Sequence, residues 1–346
     1  DLADFDFVWE LREDGRFIQQ GSLDRLQLAP QGRQTIQLPI ETWRIRDDRE
    51  YVLIIRALVR YSNDWCEKGY QIAWEQFVVQ PWNFAAQRLV SEGTVPEVME
   101  RDGELRIRTD RYEVTFDTAQ GQMVRLLSAE ETLLEQGPVL SFWRAPIDND
   151  GTAKSGRYIG GKFYEDARGG RLTKLWNAAG YPNMTSRLDS MRVDRSHPKQ
   201  LSVVICRTMT GNRSDAGFQV TEHYLFSGDS EFSLKTQVVP FGDLPEVARV
   251  GYEMALGDQY EKFRWYGCGP WEAYADRKDG AMLGYYEGAI DDQFTNYVYP
   301  QENGNKYGVR WAEVVAPHGP ILQVRGTAPL EVSVRRYTTM NLAEAQ

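Results

Sequence analysis

Alternation with a period of two runs through most of this chain, and it confines the fold to antiparallel β-sheet. Phe5, Phe7, Trp9 and Leu11 alternate with Asp6, Val8 and Glu10, which reads as a strand with one apolar and one wet face. Glu13-Asp14-Gly15 supplies a turn of the Asp-Gly kind, and residues 16–21 return as the second arm of a hairpin. Further strands are expected at 23–28, 34–38, 51–60 and 72–79. The most apolar stretch, 51–59, is broken by Arg56 and reads as a buried strand. Pro81 ends the run. Short strands at this spacing suggest an immunoglobulin-like sandwich over residues 1–82.

Residues 83–102 carry Gln, Ser, Glu, Gly and Pro with weak periodicity and read as a linker. Alternation then resumes. Leu105 and Ile107 alternate with Arg106 and Arg108; Tyr112, Val114 and Phe116 alternate with Glu113 and Thr115; Phe232, Leu234, Thr236 and Val238 alternate with Ser233, Lys235 and Gln237. Residues 103–346 are long enough for a large two-sheet sandwich. The chain is therefore all-β with two domains. Helical patterning is confined to short patches at 163–167 and 271–278. No strand–helix alternation is present, so a βα barrel is not encoded here.

The 346 residues carry a net charge of −10, which argues against nucleic acid or an anionic membrane as partner. No apolar run reaches membrane-spanning length. Cys66, Cys206 and Cys268 are scattered, as are His197, His223 and His318, so neither a disulfide framework nor a zinc spacing exists. The chain starts at Asp1 without Met and is read as a piece of a longer protein; its compartment stays open, cytoplasm ahead of periplasm.

Three segments concentrate polar chemistry. The first, residues 144–151, is Arg-Ala-Pro-Ile-Asp-Asn-Asp-Gly. Its Asp148, Asn149 and Asp150 could hydrogen-bond sugar hydroxyls or chelate a cation; Arg144 could equally bury one carboxylate in a salt bridge. A calcium loop fails on spacing, because Ala153 and Ile159 occupy the positions where Gly and Glu are needed. The second, residues 267–277, is Gly-Cys-Gly-Pro-Trp-Glu-Ala-Tyr-Ala-Asp-Arg. On a short helical turn after Pro270, Glu272, Asp276 and Arg277 would project near one another, either as a ligand or docking surface beside Trp271 and Tyr274 or as an internally satisfied ion network. The third, residues 296–305, brackets Glu302 and Asn303 between Pro300 and Gly304 and reads as a β-turn whose polar groups could meet hydroxyls. Carboxylates are abundant, but no catalytic pair can be assigned.

These three segments, in this order, resemble the C-terminal portion of bacterial β-galactosidases of glycoside hydrolase family 2. Arg144 to Gly151 looks like that family's R-A-P-x-D-N-D loop, Gly267 to Arg277 like its G-x-G-P-x-E-x-Y-x-D-R signature, and Tyr297 to Gly304 like its Y-V-x-P-x-E-N-G. The resemblance implies an immunoglobulin-like linking domain followed by a small-chain sandwich similar in fold to galactose mutarotases. It implies hydrolysis of terminal β-galactosides such as lactose, with retention, by a barrel that lies upstream together with its glutamates and magnesium. This part would have no catalytic residue, metal or cofactor of its own. Arg144, Asp148, Asn149, Asp150 and Gly151 would lie on the substrate side, with a lid from Gly151 to about Gly160. Glu272, Tyr274, Asp276, Arg277, Glu302 and Asn303 would be signature residues of structural weight. The partners implied are a β-galactoside, the rest of the same polypeptide and further copies in a homo-oligomer. The chain would lack the first strands of its linking domain and the last strands of its sandwich. The alternative is a stand-alone carbohydrate-binding or mutarotase-like protein.

Overall fold

The structure is a computed structural model; it describes residues 2–84, 95–151, 156–159, 162–165, 171–197, 199–227, 231–319 and 321–345. Strands β1 (Phe5–Glu13), β2 (Arg16–Ser22), β3 (Tyr51–Val59) and β4 (Gln71–Gln80) form one antiparallel sheet in the order β2-β1-β3-β4. The strands expected at 23–28 and 34–38 do not form, and these residues are irregular. Alternation alone does not make a strand where no neighbour offers backbone partners. The wet face expected for β1 is also covered: Trp9 and Leu11 are buried and every other residue of the strand is half-buried.

Strand β5 (Glu97–Arg101) lies inside the stretch expected as a linker. It pairs with β6 (Glu104–Arg108), followed by β7 (Glu113–Asp117), β8 (Gln122–Ser128) and β9 (Glu131–Ser141). β10 (Gly156–Ile159) and β11 (Lys162–Glu165) make a small hairpin where a helical patch was expected. Helix α1 (Arg171–Ala179) follows, then β12 (Thr185–Asp194), β13 (Gln200–Thr210), β14 (Gly217–Ser227), β15 (Phe232–Phe241) and β16 (Gly251–Leu256). β17 (Lys262–Gly269), β18 (Met282–Ala289), β19 (Lys306–Val315), β20 (Ile321–Val332) and helix α2 (Thr339–Glu344) complete the chain.

Three larger sheets result, in the orders β16-β9-β8-β7-β6-β5, β12-β13-β14-β15 and β18-β17-β19-β20. The first two face each other across a core in which Ile107, Val114, Phe116 and Leu126 meet Val203, Ile205, Tyr224 and Phe226. This is an all-β sandwich architecture with two-sheet packing. A second core joins Phe142, Trp143, Phe218 and Trp176 of α1, and Phe142 stacks on Phe218 at 3.8 Å. The third, around Tyr260, Phe263, Trp265 and Val309, lies on one face of the β17–β20 sheet. Within α1, Leu172, Trp176 and Ala179 pack inward at helical spacing. α2 is fixed by a capping box: Thr338 Oγ1 accepts from Asn341 N at 3.0 Å, and Thr338 N donates to Asn341 Oδ1 at 3.1 Å.

The first sheet meets the last along a polar seam. Arg310 donates to both carboxylate oxygens of fully buried Glu50, at 3.0 and 2.6 Å. The Gln76 amide donates to Leu283 O at 2.8 Å and accepts from Leu283 N at 2.7 Å. Trp82 packs edge-on to Tyr266 at 5.6 Å. The β1–β2 turn is pressed into the same seam. Gly15 has φ +80, and a Cβ there would fall 2.8 Å from the Tyr285 nitrogen, so glycine is required on both counts.

Candidate functional site

The three polar segments converge on one region. The first leaves β9 and buries Phe142, Trp143 and Ala145, which anchors the loop behind them. Arg144 then grips Asp150 with a two-pronged salt bridge, Nη1 to Oδ2 at 2.6 Å and Nη2 to Oδ1 at 3.1 Å. Asp150 also accepts from Ile147 N at 2.9 Å, its backbone carbonyl accepts from Thr173 of α1 at 3.2 Å, and the Arg144 guanidinium lies 5.5 Å from the Trp176 ring. Asp150 and Arg144 are therefore spent on holding the loop. Asp148 and Asn149 are exposed, and Gly151 is buried at φ +80. The expected lid, 151–160, falls mostly outside the described residues; only Gly151 and the backbone of β10 are described.

In the second segment Glu272 is the hub. Its side chain is 5% exposed and accepts from Gly304 N at 2.7 Å, from the Tyr297 hydroxyl and from Arg277. The helical turn expected here is absent: residues 271–277 run as bends and turns, with a 3-10 turn only at Lys278–Gly280. The Ala273 N–H donates to Asn305 O at 2.8 Å, a partner far along the chain rather than one in a helical turn. Glu272 and Arg277 still meet, whereas Asp276 points to solvent without an ion pair among the described residues. Arg277 also covers the Tyr274 ring at 5.5 Å. Burial, with Glu302 and Glu272 adding to it, pushes the Tyr274 phenol well above its ordinary range.

The third segment is not an exposed turn. Glu302, Asn303, Asn305 and Lys306 are all buried. Arg335 reaches both Glu302 oxygens at 3.3 Å, and Arg249 approaches at 3.8 Å. Asn303 Oδ1 accepts from Tyr337 OH at 3.1 Å and Thr295 N at 3.2 Å. Asn305 Nδ2 donates to Ala273 O and to Glu331, each at 2.8 Å. Gln301 Oε1 accepts from Asp148 N at 3.3 Å, which ties the third segment to the first. Arg335 and Glu253 both engage Thr339 at the start of α2, at 2.9 and 2.8 Å.

Sequence reasoning thus named Arg144, Asp150, Glu272, Arg277, Glu302 and Asn303 but missed Arg249, Gln301, Lys306 and Arg335. Lys306 directly follows the Glu-Asn-Gly-Asn run, so extending that segment would have found it. Arg249 and Arg335 carry no local signal. Chemically, every buried carboxylate of the three segments is paired with arginine. Among the described residues no group of three or more His, Cys, Asp or Glu is placed to hold a metal ion. Among the groups presented outward are Asp148, Asn149, Asp276, Arg277 and Asn296 and the apolar side chains of Trp271 (78% exposed) and Val298 (fully exposed).

Residues 108–346 match the family described as beta galactosidase small chain, and residues 1–80 match beta-galactosidase domain 4. Among curated relatives, a β-galactosidase of Priestia megaterium is 27% identical over 342 residues, which is 99% of this chain and 31% of the relative. A β-galactosidase of Vibrio cholerae is 27% identical over 333 residues, 96% of this chain and 30% of the relative. One from Streptococcus thermophilus is 27% identical over 314 residues, 90% and 28% respectively. The chain spans under a third of the length of these relatives.

Proposed function

Because the chain belongs to the β-galactosidase small-chain family, we propose that it is the non-catalytic part of a β-galactosidase, shaping and covering a site for terminal β-galactosides such as lactose. The observation that carries this reading is the Glu272 hub. One buried carboxylate fastens the second and third segments together while Trp271, Val298 and Asp276 face outward. Such a network spends its charges on rigidity, and rigidity is what a surface that positions a substrate needs. In this reading the first segment lies on the substrate side, with Asp148 and Asn149 exposed where they can meet hydroxyls. The bond-breaking carboxylates and the family's magnesium belong to a barrel elsewhere in the same polypeptide, and a homo-oligomer completes the assembly. A division at 1–82 and 103–346 accompanies it.

The stand-alone mutarotase-like reading is not favoured. The relatives bear the name β-galactosidase, and no motif surrounds His223 or His318 that would mark either as the acid or base such a protein needs. The test is a chromogenic β-galactoside offered to this chain by itself. No turnover is expected; robust turnover would place the chemistry in these residues and overturn the proposal.

A further inference from the structure

Seven charged side chains are buried among the described residues, and six of them face an opposite charge: Glu50, Asp150, Arg207, Glu222, Glu272 and Glu302. Lys306 is the exception. It opens β19, is 2% exposed, and has no carboxylate within ion-pair distance among the described residues. Its ammonium stands 4.8 Å over the Trp265 ring and makes one long hydrogen bond, 3.4 Å, to the Pro270 carbonyl. Glu272 is the acid whose charge reaches it, but those oxygens already serve Gly304, Tyr297 and Arg277. A buried ammonium with so few partners is costly, and shedding the proton relieves the cost.

We propose that Lys306 is a proton-operated latch between the 270–277 loop and β19. Protonated, it ties Pro270 to β19 across the Trp265 face; neutral, it gives up the charge-assisted part of that tie and the cost of the buried charge together. Burial pushes the Lys306 amine down to about 8, with Glu272 opposing. The neighbouring elements do not compete near that pH. Burial holds Cys268 on β17, Tyr286 on β18 and Tyr274 on the loop above their ordinary values, hence neutral at pH 8. Arg277 is engaged by Glu272, and Glu331 on β20 by Asn305. Between about pH 8 and 10.5 the unfolded chain therefore holds a proton here that the folded chain has lost, so stability from this group rises with pH. The latch rests on burial and geometry and needs no substrate.

The test compares urea unfolding of the whole chain with that of Lys306→Met and Lys306→Arg from pH 7 to 10. Taking the difference between variants removes the tyrosines and Cys268, which all three proteins share. The wild-type folding constant, relative to Lys306→Met, should climb on the order of tenfold per pH unit above pH 8. Lys306→Arg, which cannot lose its proton, should show no such climb. Parallel pH profiles for wild type and Lys306→Met would overturn the latch. A lysine side-chain carbon NMR titration on the wild type decides the matter even if a variant fails to fold: a midpoint near 8 supports it, and one at the ordinary lysine value refutes it.

Discussion

The first sheet and the later sandwich are built from the same period-two strands, yet they are buried very differently. β14 encloses Phe218, Val220, Tyr224 and Phe226, while β4 has no buried residue along its whole length and leaves Phe77, Val78 and Val79 about half exposed. The later strands find a second sheet opposite them. In the first sheet, the face carrying Ile54 and Gln76 meets the β18-β17-β19-β20 sheet, while irregular residues between β2 and β3 lie beside Trp9 and Tyr51 on the other face. Similar sequence patterns thus give a self-sufficient core in one region and a sheet held by its seam in the other.

The sharpest way to break that contrast is Glu50→Ala. It strands Arg310 in the seam without its counter-charge, and removing one partner of a buried pair costs about 3–5 kcal/mol. Calorimetry should then resolve a separate, earlier transition for the first sheet; one unchanged cooperative transition would show that the seam is not what holds it. Next in size is Leu105→Ala, at 1% exposure in the sandwich core, which should cost about 2–5 kcal/mol in urea unfolding. The smallest effect is expected for Phe77→Ser on β4, within about 0.5 kcal/mol, as for exposed sites generally. A loss as large as that of Leu105→Ala would mean that β4 is covered by something, and the contrast would fall.

Strands were legible wherever alternation met a neighbour. The hairpin at Asp14-Gly15, the run at 51–59 and the pairs at 104–117 all fold as their patterns indicate, because cross-strand contacts reward each inward residue. Residues 23–28 and 34–38 carry similar patterns and remain irregular for want of a partner. β5 was hidden in Glu-Val-Met-Glu-Arg because an edge strand can be charged on both faces. Helix α1 hid because its inward residues are few. In the candidate site, legibility followed sequence distance. Arg144 and Asp150 are six residues apart and their pairing could be weighed from the sequence, as could that of Glu272 with Arg277. Glu302 draws its cations from Arg249 and Arg335, which only the tertiary fold brings near, so no local spacing announces them.

The Gln76 amide has a consequence beyond holding two sheets together. β18 is an edge strand, and Leu283 turns its N–H and C=O outward from that edge. Unpaired edge groups invite strands from other molecules and seed aggregation. By filling both positions at Leu283, one side chain does there what a neighbouring strand would do, and it makes that edge unavailable to strangers. Whether this protein stays dispersed at high concentration would then depend in part on an amide in its first sheet rather than on the edge it guards.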